Sequence, residues 1–69
     1  MTKLPASEKV IRILSAHGFL LKSQKGSHQK FTNGVSSVIV PAQRKEIPVV
    51  TLKSISRQSG IEYQKFINL

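Results

Sequence analysis

Ser27-His28-Gln29-Lys30-Phe31-Thr32-Asn33-Gly34-Val35-Ser36-Ser37-Val38-Ile39-Val40-Pro41 is the stretch that decides the fold. Residues 27–32 alternate as a strand does, with His28, Lys30 and Thr32 pointing one way and Gln29 and Phe31 the other. Asn33-Gly34 tolerates positive φ at both central positions of a type I′ turn, so it predicts a two-residue hairpin connection. Residues 35–40 are rich in β-branched side chains and read as the returning strand. Pro41, which has no N–H to donate, ends the pairing. Phe31 suits a buried face, which leaves His28 and Lys30 on an open one.

Outward from this hairpin, Phe19-Leu20-Leu21-Lys22-Ser23 reads as a preceding strand, joined through a turn at Gln24-Lys25-Gly26. Upstream, Val10, Ile11, Ile13 and Leu14 form an apolar stripe at helical spacing. Ser7 is the expected N-cap of that helix, Glu8 suits its first turn, and Gly18 ends it after His17. Downstream, residues 42–50 form a loop, and Thr51 is the expected N-cap of a second helix over Leu52–Ser59 that Gly60 stops. Residues 61–69 add a short last helix anchored by Tyr63, Phe66 and Ile67. Hairpin-linked antiparallel strands with flanking helices predict an α+β layer fold, a three-stranded sheet with helices on one face.

A chain of 69 residues makes one domain, residues 1–69, with 39% apolar residues for a single thin core. Such a chain buries only about 60% of the surface its unfolded form exposes, so its stability is modest. Eleven Lys and Arg against three acids give a net charge of +8. That excess is costly through self-repulsion unless a polyanion supplies the counter-charge, and nucleic acid is the usual one. An acidic protein partner would satisfy the same charge. No cysteine is present, which excludes disulfides, thiolate zinc sites and thiol catalysis. Glu8, Glu46 and Glu62 are too few for a carboxylate-bound metal cluster. No apolar run approaches the roughly 20 residues of a membrane span, and residues 1–8 lack the apolar stretch of a signal peptide. The expected location is the cytoplasm, and neither a metal nor a small-molecule cofactor is expected.

His28 is the leading candidate for chemistry. An imidazole titrates near neutral pH and can take and return a proton. Lys22, Lys25 and Lys30 surround it in sequence and could hold a phosphate or stabilise charge developing on it. Ser27 could orient the ring or donate a hydrogen bond. A nuclease that uses the RNA 2′-hydroxyl as nucleophile needs a general base, a general acid and cations, and no metal. The plainer reading of a lone histidine in a basic hairpin is a solvated side chain. His17, at the end of the first helix, reads as a capping or surface residue. Two histidines eleven positions apart make no zinc motif. Phe19, Phe31 and Phe66 fall where the pattern calls for core, ahead of any role in base stacking.

Taken together, Ala16-His17-Gly18-Phe19, then Gln24-Lys25-Gly26-Ser27-His28-Gln29-Lys30-Phe31, Val38-Ile39-Val40-Pro41 and Thr51-Leu52-Lys53-Ser54-Ile55-Ser56-Arg57-Gln58-Ser59-Gly60 make a pattern that covers nearly the whole chain. In that order and spacing it resembles the HicA toxins of bacterial and archaeal toxin–antitoxin systems, also called YcfA-like proteins. The resemblance implies a double-stranded-RNA-binding-domain-like fold of order α-β-β-β-α. It implies an mRNA-cleaving ribonuclease, an mRNA interferase, whose catalytic histidine is His28. It also implies a cognate HicB antitoxin that binds the toxin and blocks its active site. The chain departs from the family where Ala42-Gln43 follow Pro41, a place at which many relatives carry a histidine. It departs again at Val50, where many have Gly. A non-catalytic RNA-binding module with the same fold is the alternative.

Overall fold

The computed structural model describes residues 4–67. The expectations for residues 1–3 and for the last two positions of the final helix lie outside the described residues. Helix α1 (Ser7–Ala16) is followed by strands β1 (Leu20–Lys25), β2 (His28–Thr32) and β3 (Ser37–Pro41), then helices α2 (Val49–Ser59) and α3 (Tyr63–Ile67). The strands form an antiparallel sheet in the order β1-β2-β3. This is the α+β arrangement expected, and it fits a double-stranded-RNA-binding-domain-like fold with the helices on one face.

The core explains the layers. Val10 and Leu14 of α1, Phe31, Val38 and Val40 of the sheet, Leu52 and Ile55 of α2, and Phe66 of α3 are buried together with Phe19, Ile47 and Ile61. In α1 the buried pair lies four residues apart, one turn above the other, as a one-sided helix requires. In β3 the alternate residues Val38 and Val40 are buried, and in β2 Phe31, which pairs with Val38, is buried on the same face, so one face of the sheet receives the helices. All six residues of β1 are exposed, so the helical layer covers the β2–β3 side and leaves β1 as an uncovered edge.

Several local expectations are corrected. Ser7 is not the N-cap of α1: Ala6 holds that position, and Ser7 is 1% exposed inside the first turn. Its hydroxyl is used across the fold, donating to the Pro41 carbonyl at 2.6 Å and accepting from the Arg44 amide at 2.9 Å. Thr51 does not cap α2, which starts two residues earlier at Val49 behind Pro48. Pro48 holds the N-cap position without a side-chain capping bond, and its carbonyl accepts the Leu52 amide at 2.9 Å. Asn33-Gly34 is not a two-residue turn. Thr32 pairs with Ser37, so residues 33–36 form a four-residue loop. Asn33 Oδ1 accepts the amides of Val35 at 2.9 Å and Ser36 at 2.7 Å, and only Gly34 takes a positive φ, 94°. The side chain substitutes for the backbone bond that a tighter turn would have made. The third strand therefore begins at Ser37, and Pro41 is its last residue.

The first hairpin also closes later than expected. β1 starts at Leu20, leaving Phe19 in the core ahead of it, and runs to Lys25. The connection is the pair Gly26-Ser27, with Gly26 at φ 60°. A two-residue hairpin loop asks for glycine at its first central position when that φ is positive.

Candidate active site

Strand pairing assembles the site from three strands. Lys25 pairs with His28 across the Gly26-Ser27 turn, and His28 pairs with Pro41 on its other side. Two residues along β2, Lys30 lies between Ser23 of β1 and Ile39 of β3. Residues directly opposite share a face, and so do residues two apart along one strand. Ser23, Lys25, His28, Lys30 and Ile39 accordingly share the face away from the helices. They line a depression of about 410 Å³.

The depression is basic and open. His28, Lys25 and Ser23 are exposed and Lys30 is half-buried. Two ammonium groups thus flank one imidazole, over an apolar patch supplied by Ile39, which is 42% exposed. An anion entering here meets the imidazole with Lys25 opposite it across the ladder and Lys30 two residues along β2. That is the minimum set for acid–base chemistry at a phosphate.

Of the residues expected from the sequence, Lys25, His28 and Lys30 come together. Lys22 and Ser27 do not line the depression. The β1–β2 register shifts between Leu21 and Ser23, which leaves Lys22 as the extra residue of a bulge without a partner across the ladder. Ser27 sits in the turn, and its carbonyl accepts the Ala42 amide at 2.6 Å. The loop after β3 is thereby fastened to the turn that carries His28. Ser23 and Ile39 were missed from sequence. Ile39 could have been found, because it lies between two buried valines at strand spacing. Ser23 could not, because its face follows from closure at Gly26-Ser27, whereas the turn signal reads at residues 24–26.

His17 is remote from the depression, at the C-terminal cap of α1, where its Nδ1 donates to the Ile13 carbonyl at 2.9 Å. The phenylalanines are core: Phe19, Phe31 and Phe66 are 1%, 3% and 0% exposed, so none offers a ring to a base. Tyr63 packs against the core with Lys53 Nζ 5.9 Å from its ring centroid. Among the described residues, no group of three or more His, Cys, Asp or Glu is placed to hold a metal ion. None of the described helices is long and apolar enough to cross a membrane.

The chain is thus a small basic α+β domain that carries His28, Lys25 and Lys30 on its open sheet face. A family model described as the HicA toxin of bacterial toxin–antitoxin systems matches residues 7–61. That is well over half of the chain, and the chain belongs to the HicA toxin family. No curated protein matches it closely enough to add a further relative. Membership makes the protein a toxin component and implies an antitoxin partner.

Proposed function

We propose that the protein is a ribonuclease toxin that cleaves mRNA and thereby stops translation and growth. The observation that carries this reading is the convergence of Lys25, His28 and Lys30 on one open depression. RNA lies on the open sheet face with a backbone phosphate between the two lysines. His28 removes the proton from the adjacent 2′-hydroxyl as that oxygen attacks the phosphorus, or returns a proton to the departing oxygen. Lys25 and Lys30 stabilise the charge that builds on the phosphate in the transition state. Lys22, displaced by the bulge, contacts the backbone farther along the strand, and Ser27 acts through its carbonyl in holding the turn. The reaction uses no metal, and the protein works in the cytoplasm.

The family supports an antitoxin partner in general. We take it to be of the HicB type, covering the open face and supplying the acids this chain lacks. Its binding and that of RNA are then mutually exclusive.

The direct test is cleavage of a labelled mRNA by the purified protein in EDTA. Cleavage products are expected; intact RNA at enzyme excess would leave only binding. A second measurement separates the lysines from the histidine. Lys25→Ala and Lys30→Ala should each weaken RNA binding and lower the slope of log affinity against log salt by about 1. Fluorescence anisotropy across a salt series reads this. An unchanged slope in both variants would remove these lysines from the phosphate contacts.

A further inference from the structure

His28 is held from both sides by main-chain neighbours, and one of these neighbours is governed by a distant serine. Ser7 is the one polar residue among the described residues whose surface is almost wholly buried, at 1% exposure. It lies 34 positions from Pro41 in sequence, yet its hydroxyl donates to the Pro41 carbonyl at 2.6 Å. The same oxygen accepts the Arg44 amide at 2.9 Å, and the Ser7 amide donates to the Arg44 carbonyl at 3.0 Å. Three hydrogen bonds from one residue therefore grip both ends of the turn over residues 41–44.

That turn touches the proposed site directly. Pro41 is the strand partner of His28, and the Ala42 amide donates to the carbonyl of Ser27, the residue before His28, at 2.6 Å. Between them Gln43 takes a φ of 57°, and it is the one non-glycine residue described with a positive φ. A glutamine in the left-handed region costs energy, and such a conformation persists only where its surroundings over-determine it. Here the surroundings are the Ser7 bonds on one side and the Ser27 bond on the other. The buried side chains of Val40 and Ile47 frame the segment, and the Ile47 amide donates to the Pro5 carbonyl at 2.9 Å, but the bonds that reach residues 41–44 themselves are those of Ser7 and Ser27.

We infer that Ser7 is a positioning residue for the site: through the Pro41–Arg44 turn it fixes the Gly26-Ser27 connection and hence the place of the His28 ring. Helix α1 is thus coupled to the open face of the sheet, although the helix itself packs on the opposite face. The inference rests on the reading of His28 as the proton-transfer group, but its primary observable does not depend on cleavage.

The test compares Ser7→Ala and Ser7→Thr in the full chain by amide hydrogen exchange and by single-turnover cleavage. In Ser7→Ala, the Ala42 amide should lose tenfold or more of its protection, while Val38 and Val40 in the adjoining strand β3 keep theirs. The His28 ring resonances should shift or broaden. Cleavage should slow tenfold or more at saturating RNA, with RNA affinity and its salt slope within twofold of the parent. Ser7→Thr keeps the hydroxyl and should restore Ala42 protection and cleavage together. Uniform loss of protection in Ser7→Ala would make Ser7 a general stability element and overturn the inference. So would an unchanged Ala42 amide. If the parent does not cleave RNA but Ala42 and His28 respond as stated, the nuclease reading fails while the positioning role stands.

Discussion

On the proposed reading, His28→Ala should remove RNA cleavage and leave the fold intact. Positioned proton transfer contributes about 10²–10⁴-fold to a rate, and the variant should lose a factor in that range in single-turnover cleavage of a labelled mRNA in EDTA. The thermal midpoint should stay close to that of the parent. His28 is exposed, and exposed substitutions usually change stability by less than about 0.5 kcal/mol. In a domain of this size, such a change moves the midpoint by no more than about 4 °C. The backbone of residue 28 keeps its place between Lys25 and Pro41 whatever its side chain, so the sheet does not depend on the imidazole. Salt-sensitive RNA binding should persist, because Lys25 and Lys30 remain. Equal cleavage by the variant and the parent would remove His28 from the chemistry. Binding without cleavage by either would identify a non-catalytic RNA-binding module. Collapse of the variant would make the histidine structural.

The face on which His28 lies is legible in the sequence even though the turn at the far end of β2 is longer than Asn33-Gly34 predicts, and the reason is parity. A two-residue turn at Asn33-Gly34 would pair Phe31 with Ser36, whereas the four-residue loop pairs Phe31 with Val38. The two registers differ by two residues along β3, and a shift of two keeps every side chain on its face. Burying Val38 against Phe31, in place of a serine, is what favours the longer loop. Asn33 then satisfies the loop amides that the tighter turn would have paired.

The first hairpin shows the opposite case. A turn at residues 24–26 would pair Ser23 with Ser27 and set Ser23 on the face of Phe31. Closure at Gly26-Ser27 pairs Ser23 with Lys30 and brings it into the depression, and the bulge at Lys22 changes the register only for Leu20 and Leu21 beyond it. The error there is an odd number of residues, so it changed which side chains share the site. Turn signals such as Gly and Asn identify that the chain reverses, but the exact register follows from which apolar residues find each other. The role of Ser7 was beyond reach for a different reason. A serine ahead of an apolar stripe carries a local capping signal, and its long-range bonds to Pro41 and Arg44 have no sequence signature.

Phe31→Ala should unfold much of the protein at 37 °C without touching the chemistry. Phe31 is 3% exposed and lies in the central strand between Leu21 and Val38, at the middle of the single core. Truncating a buried phenylalanine costs about 3–5 kcal/mol through lost burial and the cavity left behind. Natural domains hold only about 5–15 kcal/mol in total, and a chain this short belongs at the low end. Urea unfolding followed by circular dichroism should show a much lower midpoint with an unchanged slope. Phe31→Leu, which keeps most of the volume, should fall between the variant and the parent. A loss below about 1 kcal/mol for Phe31→Ala would mean that β2 is not anchored by this ring. The two lesions separate site from scaffold by how they respond to stabilisation. Phe31→Ala keeps His28 and both lysines, so any condition that repopulates the native state, such as an excluded osmolyte, should return cleavage in proportion to the folded fraction. His28→Ala is already folded, and no such condition should restore it. If osmolyte rescued both variants alike, the loss in His28→Ala would be a folding defect. If it rescued neither although Phe31→Ala refolded, Phe31 would be shaping the site as well as the core.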